Sequence, residues 1–298
     1  FLAYIHAPPG KGLENGMKLH ELRAELRPPC PALDVHVHPP GDFGHKVGSV
    51  EEDAALLVES AQRAGVGKMC LFSVGRPPVA EPGVEQCAEA NDYVRAMREV
   101  APDKFLPFCY LTPACPQESV AEMNRCIEGH GFAGVKLWIA RRASDTALDP
   151  IMRRAAELGV PVLQHAWDKT TGNSPGESRP ADVADLARRH PDAHIIMAHL
   201  NGCGLRGLGA VADCPNVLVD TSGGDPTSGM VEAAVDALGP ERVVCGSDAP
   251  IRHFAVTLGK TLGTALPAAV KRAILWNNAA RILPPWAGVK PLEASDDR

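Results

Sequence analysis

The sequence has little of several features that mark particular classes of protein. Aromatic residues make up only 5% of the 298 residues, and no apolar run approaches the roughly 18 residues that a membrane-spanning helix needs. Positive charge is not in excess, because 30 Lys and Arg residues stand against 36 Asp and Glu, a formal net charge of −6. We therefore expect neither a nucleic-acid partner nor a membrane partner.

The nine cysteines are an odd number and include no CxxC pair, so they cannot all form disulfides with one another. In a chain of this length such cysteines are typical of small buried thiols in a reducing compartment, and we expect a cytoplasmic protein. The N-terminus, FLAYIHAPPGKG, has no basic segment followed by an apolar one, and we expect no signal peptide. Because the sequence does not begin with Met, we also expect residues upstream of Phe1.

Hydrophobic residues, in contrast, make up 45% of the chain, which is enough for one large core. Residues 1–31 are rich in Pro and Gly and predict an arm that lies on the body of the protein or on a neighbouring subunit. The apolar start of this arm is compatible with a homodimer. Residues 32–284 are predicted to form the catalytic domain, and residues 285–298 a C-terminal tail.

From residue 32 onward, short β-rich apolar runs alternate with amphipathic helical stretches. Eight strands are predicted, at 32–36, 68–74, 105–111, 134–139, 160–165, 194–199, 216–221 and 242–247. Helices are predicted at 49–64, 84–100, 116–130, 148–158, 180–190, 205–213, 228–238 and 266–283. Near-continuous apolar strands are typical of a buried parallel sheet.

Eight such units without a break in composition predict a closed (β/α)8 TIM barrel, which takes about 250 residues. The competing fold is an open, doubly wound sheet. That fold calls for a glycine-rich phosphate loop after the first strand, and the sequence there reads DVHVHPPGDFG instead.

In a barrel, catalytic groups lie at the carboxyl ends of the strands. Four predicted strands end in metal-ligating residues: His36 and His38 at the end of the first, His165 at the end of the fifth, His199 at the end of the sixth and Asp248 at the end of the eighth. Two residues apart on a strand, His36 and His38 point the same way. Three imidazoles and a carboxylate suit Zn²⁺, and also Mn²⁺, Fe²⁺ or Co²⁺.

Each of these residues also has an ordinary structural explanation. A single HxH pair is often two surface histidines, and a lone His165 is compatible with a hydrogen-bonded core histidine. His199 can simply end a strand, and Asp248 can cap a helix. The coincidence of four strand ends with candidate ligands is what favours a metal site.

With these residues at these strand ends, the chain resembles the amidohydrolase superfamily of metal-dependent (β/α)8 enzymes. It is most similar to the amidohydrolase-related branch that includes aminocarboxymuconate-semialdehyde decarboxylase. The matching segments are LDVHVHP (33–39), FAGVKLW (132–138), GVPVLQHA (159–166), HIIMAHLNG (194–202), VCGSDAP (244–250) and WNNAARIL (276–283). The likeness covers about residues 32–283.

The resemblance implies a role for each matching residue. It assigns the metal to His36, His38, His165 and Asp248, and the role of general acid and base, or of substrate contact, to His199. Asp248 is also implied as a proton acceptor. In binuclear relatives a carboxylated lysine on the fourth strand, the position of Lys136, bridges two metals. The branch usually holds a single metal, so we expect one divalent ion, zinc first, with Lys136 otherwise pairing with a substrate anion or a neighbouring carboxylate.

Other residues near the strand ends are candidate contacts for a small-molecule substrate: Arg76, Trp138, Trp167 and Arg252. Arginines there can pair with a substrate carboxylate, although solvated loop charges explain them equally well. The polar loop at 168–179 is a candidate lid.

Three alternative functions are compatible with this site. The first is a hydrolase that opens an amide, lactone or ester with metal-activated water. The alternative is a non-oxidative decarboxylase of an unsaturated or aromatic acid, which uses the same metal ligands and needs a positive group for the carboxylate. The third is a barrel that retains its ligands for structure alone, against which the full ligand set and His199 argue.

Overall fold

A computed structural model describes residues 28–43, 49–224 and 226–293. The arm predicted at 1–31 therefore lies almost wholly outside the described residues, and the tail is described as far as residue 293. Within these ranges, no helix is both long enough and apolar enough to cross a bilayer.

The centre of the fold is a ring of eight parallel strands in sequence order. They are β1 Ala32–Val37, β2 Val66–Leu71, β3 Phe105–Tyr110, β4 Gly134–Leu137, β5 Val162–Gln164, β6 Ile195–Met197, β7 Val217–Asp220 and β8 Val243–Val244. Backbone hydrogen bonds join the two ends of this sheet, from Val35 N to Cys245 O (2.8 Å) and from His38 N to Ala249 O (2.7 Å). The predicted (β/α)8 barrel is confirmed, and this closure excludes the open sheet.

Helices follow the strands around the outside of the barrel. They are α1 Val50–Ala64, α2 Val84–Val100, α3 Pro116–Asn124, α4 Asp149–Leu158, α5 Pro180–Arg189, α6 Leu200–Val211, α7 Met230–Leu238, α8 Phe254–Leu262, α9 Ala268–Arg272 and α10 Asn278–Ile282. Single π-helical turns at Arg125–Gly129 and Ala273–Asn277 extend α3 and join α9 to α10, and short 3-10 turns lie at Pro40–Phe43, Thr146–Leu148, Pro240–Arg242 and Pro285–Ala287.

Local sequence explains where several helices begin and end. At the start of α1, the Ser49 hydroxyl accepts a hydrogen bond from Glu52 N, and the Glu52 carboxylate accepts one from Ser49 N. This capping box satisfies two of the amides that a helix start leaves unpaired. At the end of α4, Gly159 takes the left-handed conformation with φ of 65°, which glycine adopts without steric cost.

The predicted boundaries are wrong where the chain turns out of the sheet. Strands β5, β6 and β8 end before His165, His199 and Ser247, which the sequence pattern places inside strands. His199 and Asp248 have φ of 70° and 64°, a left-handed conformation that cannot continue a strand and that costs energy for residues other than glycine. As a result α6 begins at Leu200, five residues before the predicted start at 205.

The core consists of apolar side chains packed between the strands and the helices, with aromatic rings such as Phe72, Phe105 and Phe108 fully buried. All nine cysteines are free thiols and eight of them are buried. Because all eight strands are parallel, their carboxyl ends lie at one end of the barrel, where the candidate site is formed.

Candidate metal centre and active site

His36, His38 and Asp248 converge at the carboxyl end of the barrel. One carboxylate oxygen of Asp248 lies 3.3 Å from His36 Nε2 and 3.5 Å from His38 Nε2. The three side chains are buried, and one ligand atom from each lies within 4.8 Å of the others. The shared direction of His36 and His38 at the end of β1 is the one predicted from their spacing, and Asp248, four residues after the end of β8, completes the group.

The second ring nitrogen of each histidine is held by a further carboxylate. His36 Nδ1 lies 2.7 Å from Asp220 Oδ2, and His38 Nδ1 lies 3.4 Å from Asp42 Oδ2. A carboxylate accepts the Nδ1 proton and leaves the Nε2 lone pair free, as is usual for histidines that bind metals. The donor set and its supporting carboxylates therefore fit a divalent cation.

The ionisation of the two histidines differs. Burial, reinforced by the charge of Lys136, holds the pKa of His36 well below its ordinary value, so this imidazole is neutral and able to coordinate. Burial also lowers the pKa of His38, but hydrogen bonds to Asp248 and Asp42 outweigh it and raise that pKa overall. The same carboxylates that favour positive charge at His38 would also attract a divalent cation.

His165 and His199 form a second, adjoining pair. His199 Nε2 lies 3.1 Å from His165 Nδ1, while His165 Nε2 lies 3.0 Å from Glu177 Oε1. Among the described residues, His165 belongs to neither of the two compact groups of ligand atoms, which are His36 with His38 and Asp248, and His36 with His199 and Asp220. The structure thus brings the predicted ligands into one site, with His165 facing His199 rather than Asp248.

His199 is fixed in place from several sides. Its Nδ1 lies 2.9 Å from Ser222 Oγ, and its backbone N–H donates to Asp220 Oδ1 at 2.9 Å. Gly223 passes so close that a Cβ there would lie 2.5 Å from the Cβ of His199, and its φ of 74° is one that glycine alone adopts easily. The left-handed backbone of His199 is held by these contacts, which is typical of a functional position.

A cavity of about 270 Å³ opens above these groups. Apolar rings and chains form much of its wall, from Phe43, Trp138, Trp167 and Ile251. The Trp167 ring lies 5.0 Å from the His199 ring. Cationic groups of Lys136, Lys169 and Arg252 also line the cavity. Such a space fits a flat apolar molecule that carries negative charge.

Lys136 reaches this cavity from β4. The side chain is buried, and its Nζ lies 4.6 Å from the centre of the Phe72 ring. Burial lowers the pKa of Lys136 to about 8, against the opposing influence of the Asp248 and Asp220 carboxylates. Lys136 is thus positioned to contact an anion in the cavity.

Arg76 lies elsewhere. Its guanidinium sits 3.3 Å above the Tyr93 ring and 4.0 Å from Asp53 Oδ2, beside a different cavity that shares no lining residue with the first. The structure therefore brings Trp138, Trp167 and Arg252 together over the histidines but places Arg76 elsewhere, and the role of Arg76 as a substrate contact stays a prediction.

Two candidate functional residues were not predicted from the sequence. Asp220 ends β7 and holds both His36 and the His199 backbone, and its place at a strand end was the available signal. Glu177 is buried in the predicted lid loop, bonded to His165, to Lys169 at 2.7 Å and to Ser174 N at 2.9 Å. No spacing in the sequence pointed to Glu177.

A parallel barrel with histidines and aspartates at its strand ends defines a class of metal-dependent enzymes. The sequence model of the family described as Amidohydrolase matches residues 33–284, and the chain belongs to this family. The resemblance drawn from the motifs is confirmed. The protein is an enzyme of the amidohydrolase superfamily with a cluster of residues suited to a divalent metal.

Individual relatives are distant. The 2-amino-3-carboxymuconate-6-semialdehyde decarboxylase of Dictyostelium discoideum is 23% identical over 135 residues, 43% of this chain and 38% of that protein. The match thus spans less than half of this curated relative. Among solved structures, 2,6-dihydroxybenzoate decarboxylase from Rhizobium has a TM-score of 0.67 at 18% identity, covering 85% of this chain and 98% of its own.

A dihydroxybenzoic acid decarboxylase from Polaromonas sp. JS666, solved with manganese and the inhibitor 2-nitroresorcinol, has a TM-score of 0.69 at 16% identity, covering 85% of this chain and 96% of its own. All three relatives are decarboxylases. The prediction that placed hydrolysis first is therefore wrong, and the relatives favour the alternative that the same ligands allowed.

Proposed function

We propose that the protein is a metal-dependent, non-oxidative decarboxylase of an aromatic or unsaturated carboxylic acid. The observation that carries this proposal is the cavity above His36, His38 and Asp248, whose wall combines two tryptophan rings with cationic side chains. A planar acid matches both parts of this lining. The decarboxylase relatives support the same reaction.

In this reaction the bond between the substrate carbon and its carboxyl group breaks, carbon dioxide leaves, and a proton takes its place on the carbon. A divalent ion held by His36, His38, Asp248 and, as the family resemblance implies, His165 would supply positive charge that polarises a substrate oxygen. Trp138 and Trp167 line the space in which the flat part of the substrate would lie.

The proton that replaces the carboxyl group needs a donor beside the carbon. We assign it to His199 Nε2, with Asp248 as a second acid and base, because both side chains line the cavity. Lys136 and Arg252 carry the positive charge that a leaving carboxylate and a phenolate-like group would face. Ser222 and Asp220 hold His199 in the required position.

We propose one divalent ion per chain. Zinc remains the expected ion from the ligand types, and manganese is the alternative that the Polaromonas structure favours. Lys136 then contacts substrate rather than a second metal. Elemental analysis of the purified protein would distinguish these cases, because two equivalents of metal would contradict the assignment of Lys136.

We further propose that the protein acts in the cytoplasm on a small-molecule substrate, with nine free thiols as support for a reducing compartment. The homodimer suggested by the apolar start of the arm stays a prediction, since residues 1–27 lie outside the described part of the chain.

The experiment that tests the function is product analysis in D₂O. The metal-loaded full chain is incubated with benzoic acids hydroxylated beside the carboxyl group, including 2,6-dihydroxybenzoate. We expect release of carbon dioxide and one deuterium on the vacated ring carbon. Turnover of lactones or N-acyl compounds, with no carbon dioxide from any acid tested, would overturn the proposal.

A further inference from the structure

A second cavity, of about 260 Å³, lies at the start of α2 beside the segment that follows β2. Its wall includes Arg76, Val79, Ala90, Tyr93 and Tyr110. None of its lining residues lines the cavity over the histidines. A water molecule accounts for about 30 Å³ of liquid, so the space suits a molecule of about nine non-hydrogen atoms.

Tyr110 supplies an unusual feature of this wall. The side chain is 1% exposed, and within the described ranges its hydroxyl has no hydrogen-bond partner. A buried tyrosine hydroxyl normally has one, because leaving it unpaired costs free energy. The residue cannot shift easily, since Asn91 bonds both its backbone N–H (2.7 Å) and its backbone carbonyl (3.1 Å).

Burial also raises the pKa of the Tyr110 phenol, so the group is a neutral O–H donor throughout the physiological range. The hydroxyl oxygen is itself buried from solvent, so a ligand that offers an acceptor oxygen in the cavity would satisfy it once the side chains around it shift slightly. The unpaired hydroxyl therefore favours a ligand with an oxygen acceptor over a wholly apolar one.

Arg76 adds positive charge to the same wall. Its guanidinium stacks on the Tyr93 ring and remains 35% exposed, with its closest carboxylate, that of Asp53, 4.0 Å away. The Tyr93 hydroxyl donates to Asp53 at 2.6 Å, which fixes the ring under the guanidinium. Arg76 is thus held in place, and its partly exposed guanidinium can donate to an anion. Glu89 also lines the cavity, so a single negative charge suits it better than several.

We propose that this cavity is a second binding site, which takes a small monocarboxylate with an apolar body. The carboxylate would accept from Arg76 and, after that small shift, from Tyr110, and the apolar part would lie against Val79 and Ala90. The site does not depend on the reaction proposed for the metal centre.

A short chain of hydrogen bonds links the two sites. Ser73, in the wall of the second cavity, donates through Oγ to Asp42 Oδ1 at 2.6 Å, and Val74 N donates to Asp42 Oδ2 at 2.8 Å. Asp42 in turn faces His38 Nδ1. Val74 also lines the second cavity, and its N–H helps to orient the Asp42 carboxylate that faces His38. A molecule in the second cavity would therefore contact a residue that supports a proposed metal ligand.

The test uses the metal-loaded full chain and 4-fluorobenzoate, followed by ¹⁹F NMR. We expect two bound signals, one for each cavity. Arg76→Gln and Tyr110→Phe should each weaken binding at one signal at least tenfold, and Trp167→Ala should weaken the other. Arg95→Gln, on the same helix as Tyr93 but outside the cavity, should change neither. Without ligand, Tyr110→Phe should melt at the same or a higher temperature, because it removes an unpaired buried hydroxyl.

A single bound signal that Arg76→Gln leaves unchanged would overturn the proposal, as would two signals that both respond only to Trp167→Ala. The Arg76 variant decides the outcome if Tyr110→Phe does not fold. Failure to decarboxylate any acid would leave this result untouched, so the two proposals fail separately.

Discussion

The Nδ1 atom of His36 lies 2.7 Å from Oδ2 of Asp220, at the carboxyl end of the barrel and with both side chains buried. The carboxylate fixes which nitrogen of His36 carries the proton and leaves Nε2 directed at Asp248. Asp220 is thus a positioning residue for a proposed metal ligand, and its other oxygen supports the backbone of His199.

Replacing Asp220 with Asn should lower the affinity for the divalent ion about 10- to 100-fold, the usual effect of removing a carboxylate behind a ligating histidine. Titration of the metal-free protein with Mn²⁺ or Zn²⁺ measures this. Asp213→Asn serves as the control, because that residue forms an exposed ion pair with Arg188 far from the site. Equal affinities of the two variants would show that Asp220 does not act through His36.

Replacing His199 with Ala should retain one equivalent of metal and lose turnover by about 10²- to 10⁴-fold, the range of a general acid and base. Metal content and the rate of carbon dioxide release are measured on the same preparation. His190→Ala, at the end of α5 and bonded to Asp149, is the matched control. If His199→Ala loses a metal equivalent instead, the residue is a ligand, and the binuclear alternative with Lys136 gains support.

Replacing Gly202 with Ala should disturb the wall of the active-site cavity. A Cβ at this position would lie 2.6 Å from the Trp167 ring, so the ring must shift from its place 5.0 Å from the His199 ring. We expect KM to rise several-fold and stability to fall by about 1–3 kcal/mol, as is usual for overpacking.

Gly209→Ala, on the same helix and with open space around the new methyl group, should leave KM unchanged. It should stabilise the protein by about 0.5–1 kcal/mol, since alanine is the better helix former. Identical KM values for the two alanine variants would contradict the proposed substrate contact of Trp167.

Replacing Glu177 with Gln should lower the stability of the folded protein, and the size of this loss should depend on pH. Burial opposes the ionisation of Glu177, but hydrogen bonds from His165, Lys169 and Ser174 N outweigh it and lower the pKa to about 2. A carboxyl whose pKa is depressed by folding stabilises the folded state above its unfolded pKa of about 4.3, and this contribution is lost as pH falls toward 2.

Urea denaturation at pH 7, 5 and 3.5 measures the effect. At pH 7 we expect the wild type to be more stable than Glu177→Gln by on the order of 1–2 kcal/mol, a value reduced by solvent screening, and the difference to shrink at pH 3.5. Glu118→Gln, an exposed change in α3, should show no such trend. A difference that is constant across the three pH values would mean that the Glu177 charge is not involved.

Most of the fold could be predicted because barrel strands and helices leave strong local patterns. Helix α2 begins and ends at the predicted residues, and the caps Ser49 and Gly159 lie at the predicted boundaries of two other helices. The start of α6 was missed because its four glycines, from Gly202 to Gly209, weaken helix propensity while tertiary contacts hold the segment. Helix α8 was missed because it follows the turn at Asp248, whose left-handed backbone no sequence pattern reports.

The predicted part of the site is the part set by strand geometry. His36 and His38, two residues apart at the end of β1, point the same way because alternate residues of an extended chain do so, and this could be predicted from their spacing in the sequence. Asp220 and Glu177 depend on distances between residues far apart in the chain. Such contacts arise from tertiary packing, and no spacing within one segment encodes them.

The proposed decarboxylation requires a metal held by His36 and His38 at the end of β1. The direct test compares the wild type with His36→Ala/His38→Ala, measuring bound metal and release of labelled carbon dioxide from the best carboxyl-labelled acid. We expect the double variant to lose metal and carbon dioxide release together. Undiminished carbon dioxide release from a folded, metal-free double variant would contradict the account.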